Sequence, residues 1–363
     1  MSKIKNFLKK KDIEFSMKRY GIDALSAMAQ GLFASLLIGT IISTIGTQFD
    51  IDVLTQIGGY AKQVSGPAMA VAIAYALKCP PLVLFSMVTV GFAANALGGA
   101  GGPLAVLVVA IIASECGKLV SKETKVDIIV TPAVTILVGV LLSIGCAKYI
   151  GDAAMWTGDL IGWATEQQPL IMGIVVSVVV GIALTLPISS AAICAAIALT
   201  GYVTGDNGFI LDEGKALAGG AALAGCCANM VGFAVMSFKE NGVGGLISQG
   251  LGTSMLQMGN IVKKPVIWLP PIITSAITGP LATCVFKVKM FGDAISSGMG
   301  TCGLVGPIGV YSGWVRAGIK PGAFEWIGLI CISVVLPAVI TMLIGWGFRK
   351  AGIIKDGDLK LEN

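Results

Sequence analysis

Val90–Pro103, VGFAANALGGAGGP, is an apolar run carrying one amide, Asn95, that dissolves into glycines and stops at a proline. Its first four residues return as Val231–Ala234, 141 positions later, again closing an apolar run ahead of a glycine-containing turn. Two further matches keep nearly the same spacing and order. Gly101-Gly102 matches Gly244-Gly245 at an offset of 143, and VDIIVTPAVT (126–135) matches PVIWLPPIIT (265–274), which aligns Pro132 with Pro271 at 139. Three similar offsets in one order point to an internal duplication.

Hydrophobic residues fill 55% of the 363 positions and charged residues 12%, with a mean hydropathy of +0.87. A soluble domain carries about 25% charged residues. This chain lacks the charge to coat a water-facing surface, and lipid is the solvent its composition fits. The 49 glycines lie within the apolar segments as well as between them, the pattern of helices that approach closely or break at membrane depth. Seven Lys and Arg fall within Met1–Asp23 and four within Arg349–Lys360. Both tails abut apolar spans, so they read as positive-inside anchors, with no nucleic acid as partner. The absence of histidine removes His-based triads, His metal ligands and phosphohistidine. The nine cysteines sit in or beside apolar runs without Cys-x-x-Cys spacing and read as small buried hydrophobes. No metal and no cofactor is expected.

The apolar segments divide the chain as follows. Residues 1–23 form a basic cytoplasmic or interfacial segment, as a short helix or a basic tail. Residues 24–150 make a first membrane repeat, with a polar far-side loop at 50–63 and spans at 24–47, 64–77, 82–97, 103–120 and 126–150. Residues 151–169, with Trp156 and Trp163, read as an interfacial connector. A second repeat, 170–286, holds spans at 170–186, 188–204, 216–237, 243–262 and 266–286, with an acidic loop at 205–215. A re-entrant segment and last span occupy 287–348, and a cytoplasmic tail 349–363. Five segments per repeat, an odd number, place the copies upside down to each other. The expectation is an all-α polytopic integral membrane protein of about 10–12 membrane segments, an inverted 5+5 repeat with broken or re-entrant helices, and both termini cytoplasmic in a bacterial inner membrane. The N-terminus, Lys78, Lys118–Lys125, Lys239, Lys287–Lys289 and the C-terminus then share one side. Lys263-Lys264, Arg316 and Lys320 break the scheme: either those positives are tolerated outside, or one short segment does not cross.

Polar groups are costly in hydrocarbon, which makes Gln30, Asn95, Glu115, Asn229, Gln249, Gln257 and Asn260 informative. Glu115 lies three residues before Lys118 and reads as a local ion pair in preference to a transport carboxylate. Asn95 and Asn229 stand near the glycine-broken ends of corresponding helices; an amide can read a sugar hydroxyl or a carboxylate, or simply bond a neighbouring helix. Pro187-Ile188-Ser189-Ser190 joins two spans with almost no loop. A helix starting there has a hydroxyl cap and free N–H groups for an anion or hydroxyl, unless the turn lies at the membrane surface. Gly292–Gly313 holds seven glycines, a poor lipid-facing helix. The favoured reading is a re-entrant hairpin with its tip at Gly298–Gly303; the alternative is a close-packed glycine helix. The candidate substrate-binding set is Asn95, Asn229, Ser189, Ser190, Ser296, Ser297, Gly298, Gly300 and Thr301. No nucleophile–base pair is visible, and no catalytic residue is expected.

GMGTCGLVGPIG (298–309), IDALSAMAQGLFASLLIGTI (22–41) and VGFAANALGGAGGPLAV (90–106) resemble the membrane-embedded enzyme IIC proteins of the sugar phosphotransferase system, nearest its perfringolysin O regulator-like branch. The resemblance spans nearly the whole chain. It implies a transport fold for a small polar, sugar-like solute, often a homodimer in membrane lipid, served by separate cytoplasmic phosphocarrier subunits. The Gly-Ile-Thr-Glu motif of the glucose-type branch is absent, and no IIA or IIB domain is fused. Two expectations follow: a transporter working by alternating access, at most the permease component of such a system, or a membrane-embedded regulator that binds a solute and signals.

Overall fold

The computed structural model describes residues 2–205 and 208–361, with side chains described outside 2–5 and 202–211. Asp206 and Asn207, in the expected acidic loop, lie outside the described residues. The chain is helical apart from one two-stranded antiparallel hairpin, β1 (Tyr202–Gly205) and β2 (Gly208–Leu211). Among the described residues, six stretches are long and apolar enough to cross a membrane: Arg19–Gln48, Pro81–Val120, Asp127–Thr165, Glu213–Met236, Pro265–Val285 and Ala323–Lys350. Two compact units divide the chain, Met1–Ala153 and Ala154–Asn363.

The first unit opens with α1 (Ser2–Lys10) and α2 (Arg19–Gln48). The expected polar loop at 50–63 is instead a helix, α3 (Asp52–Gln63), which folds back along α2 so that Gly58 meets the Gly39 carbonyl and Gly46 meets Thr55. Thr55 and Lys62 face α2, with Lys62 Nζ donating to Ser43 at 3.2 Å, a pairing composition alone does not reveal. Then follow α4 (Ser65–Ala76) and α5 (Pro81–Gly98), whose backbones nearly touch: a Cβ at Gly91 would fall 2.3 Å from the Gly66 carbonyl oxygen. Pro81 starts α5 where a missing N–H costs nothing. Gly99 ends it at φ 50°, ψ −122°, a conformation open to glycine alone. The chain then reverses into α6 (Gly102–Val120), antiparallel to α5, with Gly98 against Ala105 and Gly117 against Val83. At 18 and 19 residues, each is about 27–29 Å long, the thickness of a hydrocarbon core. α7 (Asp127–Leu142) continues through a widened turn, Ser143–Ala147, into α8 (Lys148–Thr165). Residues 151–165 therefore extend that helix.

In the second unit, α9 (Pro169–Thr185) leads to α10 (Ser190–Ala196), then through the β hairpin to α11 (Glu213–Met236), capped by Asp212 accepting from the Lys215 N–H at 3.0 Å. α11 is built largely of Ala, Gly and Cys and is buried on every side, as a helix hydrophobic all round should be. Large apolar groups such as Phe85, Ile128, Leu141, Leu343 and Trp346 stay exposed on the outer helices, where lipid is their solvent. Lipid tails give no hydrophobic drive between helices, so close backbone approach and interhelical hydrogen bonds hold them. A Cβ at Gly225 would fall 1.8 Å from the Ser177 carbonyl oxygen, and one at Gly279 2.0 Å from that of Gly173. Ser177 Oγ donates to the Ser275 carbonyl at 2.7 Å, tying α9 to α14 (Pro265–Val285); Thr341 donates to Thr274 at 2.8 Å, tying α17 (Ala323–Lys350) to α14.

Two expected spans are not continuous helices. The stretch 188–204 holds only the seven-residue α10, after which Gly201 N–H bonds the Met290 carbonyl and Thr200 that of Gly292. The stretch 243–262 breaks into α12 (Phe238–Ile247), two irregular turns and α13 (Met258–Lys263). Gly242, at φ 58°, ψ −154°, kinks α12, 143 residues after Gly99 with its similar backbone. Where α6 is one helix, though, its expected counterpart is broken.

Candidate functional site

The second unit organises three broken segments around α11. Both ends of the 238–264 segment lie at the Met236 end of that helix. Lys239 pairs with Asp356 at 2.7 Å and Lys264 with Asp358 at 2.5 Å, both in the C-terminal tail, while Arg349 donates to the Met236 carbonyl and to Glu240. The segment goes in and comes back, which removes the anomaly of Lys263-Lys264. It also moves Lys287–Lys289. Lys289 pairs with Glu213 at 2.7 Å at the other end of α11, so these lysines and Lys239 lie at opposite ends of that helix.

A second hairpin enters from that Glu213 end. It consists of α15 (Ala294–Ser297), a turn, and α16 (Val305–Arg316). Its two ends meet in an Arg316–Asp293 pair at 3.1 Å, and Met290 N–H bonds the Ala216 carbonyl in the first turn of α11. Its turn contains left-handed Gly300, Gly303 and Leu304, so the glycine-rich stretch is a hairpin, as expected, and not a continuous glycine helix. A 24-residue α11 is about 36 Å long, and the two hairpins meet part-way along it. Gly300 packs on Cys226 and Cys227, and Gly250 on Ala234. Thr301 Oγ1 donates to the Gly250 carbonyl at 2.5 Å. Tip touches tip.

The third segment closes the junction from the side. Ser189 caps α10, accepting from the Ala192 N–H at 3.2 Å, and Ser190 Oγ donates to the Gly298 carbonyl at 2.7 Å. Ser297 Oγ donates to the Leu199 carbonyl at 2.7 Å. Ser296 is 7% exposed, and its hydroxyl has no hydrogen-bond partner among the described residues. Ser189, Ser190, Ser296, Ser297, Gly298, Gly300 and Thr301 therefore gather into one site. The hydroxyls of Ser190, Ser297 and Thr301 are turned onto backbone carbonyls.

Asn229, on α11 and fully buried, uses its whole amide. Nδ2 donates to the Gly225 carbonyl at 3.1 Å and to Ser275 at 3.2 Å; Oδ1 accepts from Trp268 at 3.0 Å and Thr185 at 3.3 Å. Asn95 belongs to the first unit. It is half-buried against Gly66 and Gly102, and its amide has no hydrogen-bond partner among the described residues.

Gln257, Asn260 and Asn241 serve the tail. Gln257 donates to the Leu359 carbonyl at 2.9 Å and to Gln249 at 2.8 Å, Asn260 to the Lys360 carbonyl at 2.9 Å, and Asn241 both donates to Leu359 and accepts from the Leu361 N–H. Glu115 pairs with Lys118 at 2.7 Å, the ion pair their spacing predicts. Among the described residues no three His, Cys, Asp or Glu side chains group to hold a metal ion.

A family model for the phosphotransferase system, EIIC, matches residues 22–361, nearly the whole chain. The chain belongs to that family. No curated protein matches this EIIC. Its apolar helices and family together make it a membrane protein of the phosphotransferase-system transport type. The 238–264 hairpin is the part of this EIIC that sequence reasoning missed as a structure. The signal was present in Gly242, Gly244, Gly245, Gly250 and Gly252 beside Gln249, Gln257 and Asn260, and in lysines of the same side at both ends.

Proposed function

We propose that this EIIC moves a small polar, sugar-like solute across a bacterial cytoplasmic membrane by alternating access, with the solute held where the hairpin tips meet. The observation that supports this most is the tip-to-tip hydrogen bond from Thr301 to Gly250 between hairpins entering from opposite ends of α11. Non-helical backbone at membrane depth persists only where protein covers it or it lines a cavity, and half-helices meeting at mid-depth are a transporter's way of building a solute site. Ser189, Ser190, Ser296, Ser297 and Thr301 supply hydroxyls, while Gly298 and Gly300 let backbone approach. Opening the 238–264 hairpin would expose the site to one side, and opening the 294–316 hairpin to the other. Asn95, with its amide unengaged, is a separate candidate for a polar contact within the first unit; Asn229 contributes by fixing α9, α11 and α14. We place both termini in the cytoplasm, a second copy as dimer partner, and separate cytoplasmic phosphocarrier subunits as the source of any phosphoryl group.

Uptake by proteoliposomes, assayed with a panel of labelled sugars and sugar acids, tests the proposal. Saturable accumulation or exchange of at least one solute, reduced about tenfold or more in Thr301→Val, is the expected result. A folded protein that binds a solute and moves none would favour the regulator reading, and one that binds none would reject the site.

A further inference from the structure

Five lysines, Lys10, Lys11, Lys78, Lys118 and Lys122, line a recess of about 270 Å³ in the first unit, together with Asp12 and Glu123. It lies where α4, α5, α6 and α7 share an end and the N-terminal arm folds over them. Lys118 Nζ donates to the Asp12 and Leu77 carbonyls, and Lys11 to that of Ser121. The carboxylates there are already engaged. Asp12 pairs with Arg19 at 2.9 Å and Glu123 with Lys11 at 2.6 Å, while Lys118 is held by Glu115 at 2.7 Å. These partners keep Asp12 and Glu123 below the usual carboxylate range and therefore charged. Among the described residues, Lys78 and Lys122 have no carboxylate within ion-pair distance, so the recess keeps a positive field.

Two further observations point to a ligand. Of the seven non-glycine residues with positive φ, three line this recess: Asp12 at 53°, Lys78 at 55° and Lys122 at 60°. Such a residue costs about 1 kcal/mol or more, and glycine would make the same turns without strain. The strain keeps lysine side chains at those turns. Ser121, 4% exposed, also lines the recess, and its hydroxyl has no hydrogen-bond partner among the described residues.

We propose that this recess binds a phosphate ester, either the phosphodiester of an anionic lipid head group or a small soluble phosphate monoester. Lysine is a compact point charge suited to phosphate, and basic pockets at helix ends hold anionic head groups. The volume fits one phosphate with its first substituent and is small for a whole drug-sized ligand.

The test uses the full chain in nanodiscs. In one arm, phosphatidylglycerol is titrated into phosphatidylcholine discs, and retained lipid is counted by native mass spectrometry. In the other, glycerol 3-phosphate is titrated calorimetrically into discs of phosphatidylcholine alone. Lys78→Gln with Lys122→Gln is compared with Lys18→Gln with Lys125→Gln, which removes the same charge from exposed positions outside the recess. Saturable binding of one equivalent is expected in one arm or both, weakened about 10–30-fold in the first pair and little changed in the second. Saturation in the lipid arm assigns a head group; saturation in the glycerol phosphate arm assigns a soluble ester. No saturable binding in either arm, or equal weakening by both pairs, overturns the proposal. Neither lysine of the first pair forms an ion pair, so both variants should fold, which matched melting temperatures would confirm.

Discussion

Asn95 and Asn229 look alike in sequence and differ in what surrounds them. Every hydrogen-bonding position of Asn229 is used inside the second unit, so Asn229→Ala strands the Trp268 N–H, while the Thr185 and Ser275 hydroxyls keep their bonds to Ser254 and the Pro271 carbonyl. An unsatisfied buried group costs about 1–3 kcal/mol. Asn229→Ala should lower the thermal midpoint in detergent by several degrees, while Asn95→Ala leaves it unchanged and weakens solute binding. Equal midpoints for the two variants would contradict that division of roles. Gly225 carries a packing prediction of its own. A side chain there meets the Ser177 carbonyl backbone-to-backbone, so Gly225→Val should destabilise by about 3 kcal/mol or more, beyond the usual cost of overpacking, and yield little folded protein by size-exclusion chromatography. The recurrence of VGFA drew attention to α5 and α11. It could not separate an engaged amide from an open one, because the partners Trp268, Ser275 and Thr185 come from distant segments.

At the scale of elements, the breaks were more legible than the paths. Pro187, the glycines of 292–313 and the charged turn at 121–125 all end helices where composition says they should. The 238–264 segment has enough apolar residues to pass as a span, and only the contacts of its ends with the tail reveal that it returns. That tail is a docked element. Leu359 is fully buried, and amides of three residues bond the backbone of 359–361. Asp356 is held below the usual carboxylate range by Lys239. Burial pushes Asp358 up, and its hydrogen bonds with Lys264 and the Lys355 N–H outweigh that. A depressed carboxylate stabilises the docked form fully above its free pKa, and the contribution is lost as pH falls through the lower, docked value. A spin label at Lys355→Cys should therefore be equally immobile from about pH 5 to 8 and gain mobility only below about pH 4. Release near neutral pH would show that the two acids do not hold the tail.

At the scale of the whole molecule, composition alone settled the solvent: 12% charge cannot cover a water-facing surface, and the exposed face of the outer helices is aliphatic and aromatic. The number of crossings was less legible, because apolar content does not distinguish a helix that spans from one that turns back. The account rests on two hairpins of the second unit entering from opposite ends of α11. Its most direct test places single cysteines, in a cysteine-depleted chain, at Lys239, Lys264, Asp293 and Arg316 and labels each with an impermeant maleimide from either side of sealed vesicles. Lys239→Cys and Lys264→Cys should label from one side, and Asp293→Cys and Arg316→Cys from the other. Labelling of positions 239 and 264 from opposite sides would make 238–264 a crossing helix and contradict the account.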